Sequence, residues 1–403
     1  MSVDTAAERS GHTMAEREAV RKRNKRKSDS YFDYSLLFVV LFLLVFGFIM
    51  IYSASSYNAF QDYGDPAYYM KKQLLAALIG LVLMVVVSKI PYHFFERFAL
   101  AGFIFSLLLI PVVKTPLGVN SHGATRWIKI PGIGLNLQPA EIAKLCMILF
   151  LAVLVSKLGR NVDTFKGFAI MVCAPLLHCA FIYLFTKNLS SAIIVFGISF
   201  LMLFVASSSY KVFFALGGGG IAAVTALVLY IINKVGTDGG FRSERIIVWL
   251  NPESQAQDKG FQTLQALYAI GSGGTWGKGL GQSMQKLSFL PESQNDMIFS
   301  IICEELGLFG GICVISMFIM LLWRMFVIAN NAPDLYGAML VVGVMGHIAI
   351  QAVLNIAVVT NTIPNTGISL PFISYGGSSV MFLLIEIGLV MSVCRGIRLS
   401  DTQ

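Results

Sequence analysis

The chain has 403 residues, 56% hydrophobic and 13% charged, with a net charge of +8 and a mean hydropathy of +0.72. That charge fraction, about half the usual value, excludes a soluble globular domain, and apolar runs that are continuous rather than alternating exclude a β-barrel. The positive balance does not indicate nucleic acid: much of it sits in one run, Arg21 to Lys27, which beside a first span reads as a topology signal and headgroup contact.

Some thirty hydrophilic residues precede the first apolar run and no small-residue cleavage site ends it, so that run is expected to stay as an anchor. Hydropathy predicts an all-α polytopic membrane protein with about ten transmembrane helices, near 35–53, 70–88, 98–113, 138–156, 168–186, 189–206, 212–233, 297–322, 338–360 and 375–394. The basic tail, Lys89 with Arg97, Lys157 with Arg160 and Lys166, Lys211, Arg324, and Arg395 with Arg398 then fall on one side. By the positive-inside rule that side is cytoplasmic and both termini face the cytosol. Residues 1–33 read as a disordered basic tail, 34–395 as the helical domain and 396–403 as a short cytoplasmic tail.

The long polar segment 234–296, between helices 7 and 8, is then external and is the first place to look for function. Two further external segments, Lys114 to Leu137 and Asn361 to Ser374, carry prolines and glycines that predict ordered turns or re-entrant backbone. The six cysteines lie in or beside apolar runs without CxxC spacing, and no two of the five histidines stand at i,i+4. Neither a disulfide framework nor a structural metal cage is expected, and no cofactor is evident.

Several ionisable residues need a reason to be in so oily a chain. Asp296 immediately precedes the apolar MIFSII, a position that favours a helix N-cap, a role compatible with that of a general base fixed at the external surface. Glu141 and Lys144 share one face at the start of the fourth span, as a self-neutralising pair or the lining of a polar cavity. Glu304 and Glu305 are expected about two turns into the eighth span, roughly 12 to 14 Å from Asp296, with at most one facing a given cavity. Glu386 lies deep in the last span without a legible partner. Arg126, Lys129, Arg242, Arg245, Lys278 and Lys286 are external cations, solvated or bound to a phosphorylated lipid. The stretch GSGGTWGKGLGQS is not a phosphate loop, because no glycine stands five before Gly277 and Gly279 follows Lys278; a flexible or tightly turned loop remains.

Five stretches together carry a resemblance: GATRWI at 123–128, QPAEIAK at 138–144, GKGLGQSMQKLSFLPESQND at 277–296, EELG at 304–307 and LPFISYGGSS at 370–379. In order and spacing they resemble the SEDS family (shape, elongation, division and sporulation), and IPNTG at 363–367 with APDLYG at 332–337 leans toward its FtsW and SpoVE branch. The resemblance implies a peptidoglycan glycosyltransferase that polymerises lipid II at the outer face of the bacterial cytoplasmic membrane, at the septum, with a class B penicillin-binding protein and other division proteins. The family's essential external acid falls on Asp296, and its membrane Glu and Lys on Glu141 and Lys144. Arg126, Trp127, Arg242, Arg245, Lys286, Glu292, Ser374 and Tyr375 are further candidates for substrate contact.

Under this reading Asp296 deprotonates the acceptor in an inverting transfer, and loop arginines or a divalent cation balance the leaving pyrophosphate. The rivals are a lipid II transporter, its path lined by Glu141, Lys144 and Glu386, and a scaffold without chemistry. Two departures stand out. TKNLSS at 186–191 replaces the QPDLGT of many relatives, putting Asn188 where they have an acid, and SerGlnAsn precedes Asp296 in place of a common HisThr pair.

Overall fold

The computed structural model describes residues 32–121, 124–129, 136–208, 248–255, 260–287 and 289–397, with 213–214, 218–219 and 226 between them. Its longer helices are α1 (Tyr34–Tyr63), α2 (Tyr68–Lys89), α3 (Ala99–Leu109), α4 (Pro139–Leu158), α5 (Phe165–Thr186), α6 (Leu189–Ala206), α7 (Phe261–Gly273), α8 (Ile298–Asn330), α9 (Leu335–Val359) and α10 (Gly377–Cys394). Eight of these, all but α3 and α7, are long and apolar enough to cross a membrane, and α3 runs on through a 3-10 turn to Lys114. Most of the run expected at 212–233, residues 1–31 and the last six residues lie outside the described residues.

The apolar runs set the helices, and local chemistry sets their ends. Asp33 accepts from the Leu36 N–H at 2.9 Å to start α1, which continues well past the predicted 53 because nothing breaks it before Gly64. There φ is +69° and the N–H closes on the Phe60 carbonyl, a left-handed cap. Lys187, also left-handed, ends α5, and the Asn188 side chain accepts from the Ser191 N–H at 3.1 Å to open α6, so two residues turn the chain. The Lys114–Leu137 segment, expected as ordered turns or re-entrant backbone, carries among its described residues a small antiparallel sheet: β1 (Gly118–Ser121), β2 (Ala124–Lys129) and β3 (Asn136–Leu137), with Gly118 opposite Ile128 and Ile128 opposite Leu137. The β-branched and aromatic side chains of TRWI suit such a surface.

α2 and α10 run side by side, and glycines let their backbones approach. A Cβ at Gly388 would meet the Met84 carbonyl at 2.7 Å, and one at Gly80 would meet Leu384 Cδ1 at 2.7 Å. Polar contacts divide between the two ends of the bundle. At one end Arg324 grips Asp33 at 2.6 Å, Tyr92 donates to Asp334 at 2.5 Å, and Ser207 donates to Asp163 at 2.6 Å. Lys89, Arg97, Lys157 and Arg395 stand at this end, the one predicted to be cytoplasmic. Asp296, Glu141, Glu304 and Glu305 gather at the other, while Glu386 lies between the two ends.

Candidate active site

The turn that ends in Asp296 is built by FLPESQND winding through successive bends, so that α8 opens only at Ile298. Met297 occupies the cap position and no side chain caps the helix. The capping role expected for Asp296 is therefore corrected: the chain has not yet turned into the helix at that residue. Asp296 is about nine-tenths buried. Its main-chain carbonyl accepts from Asn355 Nδ2 on α9 at 2.7 Å, and the same nitrogen donates to the Ile368 carbonyl at 2.7 Å. Gly367, with φ at +68°, faces the carboxylate: a Cβ there would stand 3.8 Å from Asp296 Oδ2.

The strip 361–374 that carries Gly367 is held from several directions. Ser190 at the start of α6 donates to the Thr366 carbonyl, Asn365 donates to Gln262 on α7 at 3.0 Å, and Trp249 donates to the Asn361 carbonyl at 3.0 Å. Gln351, one turn from Asn355, donates to the Ser369 carbonyl at 3.0 Å. The hydroxyl of Ser374 accepts from the Leu370 N–H at 2.7 Å, while Gln73 on α2 bridges the Ser374 carbonyl and the Gly376 N–H at 3.1 and 3.0 Å. The LPFIS turn can lie this deep because α1 presents Gly47 to it: a Cβ there would come within 2.7 Å of the Phe372 carbonyl.

Tyr375 joins the strip to the Asp296 turn, its N–H donating to the Gln294 carbonyl at 2.9 Å and its ring edge-on to Tyr69 at 5.0 Å. Burial first, then Tyr68 and Tyr63 beside it, hold its phenol up at about 12, so it remains a neutral hydroxyl at physiological pH. Glu292, in the left-handed region with φ at +55°, accepts from the Asn295 amide. Glu141 and Lys144 form a buried ion pair at 2.8 Å, and Ser379 on α10 reaches the same Glu141 oxygen at 3.4 Å. Arg126 and Trp127 are half-buried on β2. Arg242 and Arg245 lie outside the described residues.

The consecutive glutamates are not simply two turns down a span. α8 is broken at Gly307, where φ is +69° and ψ −168°, and the two acids sit just before the break. Lost helical bonds are replaced by the glycine-rich loop: the N–H groups of Lys278 and Gly279 donate to the Glu304 and Glu305 carbonyls at 3.0 and 2.9 Å. In return the Gly274 carbonyl accepts from the Leu308 N–H at 2.9 Å. Side chains repeat the link. Glu304 pairs with Lys278 at 2.7 Å and accepts from Ser283 and the Met284 N–H, while Glu305 pairs with Lys286 at 2.9 Å and with Ser53 of α1 at 2.6 Å. Facing different ways, the two acids take one loop lysine each. Deep in the bundle Glu386 meets His347 Nδ1 at 2.8 Å, both fully buried.

Of the residues singled out in the sequence, Asp296, Glu141, Lys144, Ser374 and Tyr375 all stand at this end of the bundle; Asn355, Gln351 and Gln73, which pin the Asp296 turn and the strip, were not singled out. Their signal was present as polar residues inside apolar runs, with His347, Gln351 and Asn355 spaced four apart along one face of α9.

Residues 34–398 match a family model described as cell cycle protein, FtsW/RodA/SpoVE. Stage V sporulation protein E of Bacillus subtilis is 38% identical over 365 residues, 90% of this chain and 97% of that protein. A probable peptidoglycan glycosyltransferase FtsW of Trichlorobacter lovleyi is 37% identical over 370 residues, 92% and 94% of the two chains. Among solved structures, a chain of a peptidoglycan synthase complex that couples polymerization and crosslinking matches with a TM-score of 0.74 at 27% identity, covering 90% of this chain and 98% of that one. The rod shape determining protein RodA of Thermus thermophilus matches with a TM-score of 0.65 at 25% identity, covering 90% and 97%.

Proposed function

We infer the reaction from one premise: this chain belongs to the FtsW/RodA/SpoVE family of cell cycle proteins. It is a peptidoglycan glycosyltransferase on a polytopic helical scaffold. Its substrate under this reading is lipid II, polymerised at the membrane face where Asp296 lies, the outer face of the bacterial cytoplasmic membrane, with both termini in the cytosol. Its partners are a class B penicillin-binding protein and other septal proteins.

Asp296 is the general base. It takes the proton from the acceptor's sugar 4-hydroxyl, whose oxygen attacks the anomeric carbon of the lipid-linked donor and displaces undecaprenyl pyrophosphate. An α-linked donor yields a β-linked glycan, so one displacement with one base suffices and no covalent intermediate forms. The observation that carries this reading is the pinned placement of the Asp296 turn against the Gly367 strip, with the side chain of glycine absent where an acceptor sugar would have to approach. Glu141 and Lys144 form a fixed dipole at the start of α4 that orients the substrate's polar head, and Arg126 on β2 offers charge to the pyrophosphate. Among the described residues no three His, Cys, Asp or Glu side chains converge to hold a metal; the positive charge for the leaving pyrophosphate comes from arginine or from a divalent cation brought with it.

The transporter reading draws less support, since the acids that would line its path are committed, Glu141 to Lys144 and Glu386 to His347. The test is purified protein with its partner synthase, supplied with labelled lipid II while transpeptidation is blocked. Glycan strands form with the wild type and are lost with Asp296→Ala and Asp296→Asn. Full polymer output from either variant overturns the assignment.

A further inference from the structure

We propose that the loop from Gly274 to Leu287, with Phe289 beyond it, is a lipid-contacting element, seated at the hydrocarbon–headgroup boundary of the leaflet on the Asp296 side, and not an aqueous loop. Two rulers start from the Arg324–Asp33 pair, which fixes one level of the bundle at 2.6 Å. Along α8, the helix from Arg324 back to Leu308 rises about 24 Å. Along α1, the helix from Asp33 to Ser53 rises about 30 Å, and Ser53 touches Glu305 and Lys286. A hydrocarbon layer is about 30 Å thick. With the Arg324 level at the opposite interface, the break at Gly307 and the loop bonded to it fall at the near edge of the hydrocarbon.

Charge and exposure agree with that depth. Lys278 and Lys286 are the only charged residues from 274 to 289, and each is neutralised by a glutamate of α8 at 2.7 and 2.9 Å. Part of the backbone is tied down too: the Lys278 and Gly279 N–H groups and the Gly274 and Thr275 carbonyls bond to Glu304, Glu305, Leu308 and Phe309. The large side chains that the loop turns outward are apolar, Trp276, 80% exposed, with Leu280, Met284 and Phe289, beside the exposed Thr275, Lys278 and Gln282. Trp276 contacts Phe309 at 6.1 Å between ring centroids, so this surface continues into the lipid-facing side of α8 at Leu308 and Phe309. Tryptophan beside a paired lysine is the composition of a membrane interface. The consecutive glutamates thereby acquire a purpose, removing the net charge of a loop that has to lie against lipid.

The test uses full-length protein in liposomes of phosphatidylcholine brominated near either the ester end or the methyl end of the acyl chain, with iodide as the aqueous quencher. The Trp276 signal is the wild-type emission minus that of Trp276→Phe, a surface change that leaves the fold intact. Bromine near the ester end should lower this signal by about half, more than bromine near the methyl end or iodide does. Stronger quenching by iodide places the loop in water, quenching by neither places it under protein, and strongest quenching from the methyl end places it deep. Each of these overturns the proposal.

Discussion

Asn355 holds Asp296 by its main chain: one amide nitrogen donates at 2.7 Å to the carbonyl of Asp296 and at 2.7 Å to that of Ile368, so a single side chain sets the gap between the acid's turn and the Gly367 strip. Asn355→Leu keeps the volume and strands two carbonyls, at about 1–3 kcal/mol each. Because small displacements of a catalytic group are expensive, kcat for glycan polymerisation should fall roughly 10- to 100-fold with KM for lipid II little changed. An unchanged kcat in a folded Asn355→Leu protein would remove the pin from the account.

Glu305 and Lys286 are both buried, so removing one partner leaves a charge stranded. Glu305→Gln or Lys286→Met alone should destabilise the protein by about 3–5 kcal/mol, whereas the double variant should recover much of that loss. Thermal unfolding in detergent of the four members of this cycle measures the coupling. Strictly additive losses would mean that the pair contributes nothing as a pair.

Asn188 caps α6 with its side-chain oxygen, a task aspartate performs equally well. The departure from the relatives' acid is therefore conservative in structure. Asn188→Asp should leave stability and polymer output near wild type, while Asn188→Ala should cost about 1 kcal/mol. A marked change of activity in Asn188→Asp at unchanged stability would point to a chemical role for charge at that position.

These cases also show what the sequence could and could not convey. Continuous apolar runs made the helices legible, and quoted motifs pointed to Asp296, Glu141 and Lys144. Three things were hidden. The break in α8 was invisible because a glycine within an apolar run reads as uninterrupted helix until a second segment is known to bond there. The partner of Glu386 lies 39 residues away on α9, a pairing that depends on how helices pack and not on any local period. Asp296 looked like a cap because its turn geometry, with Glu292 left-handed, is decided by contacts to Ala54 and Tyr375 that lie far off in the chain.

Gly307 offers the sharpest steric test. Its φ of +69° with ψ of −168° belongs to a region that essentially only glycine enters. A Cβ there would sit 2.4 Å from the Gly277 nitrogen and 2.5 Å from the Thr275 carbonyl oxygen. Neither can retreat without giving up the bonds between the loop and the Glu304 and Glu305 carbonyls. Gly307→Ala should therefore cost at least about 1–3 kcal/mol from backbone strain alone, and should also loosen the loop leading to Asp296 and lower polymerisation. Gly271 on α7 is the matched control: a Cβ there meets nothing within 4 Å, so Gly271→Ala should be neutral or stabilise by about 0.5–1 kcal/mol. Unfolding midpoints of the two variants in the same detergent compare them directly. Equal stability would show that the break at Gly307 is not held as tightly as its contacts require.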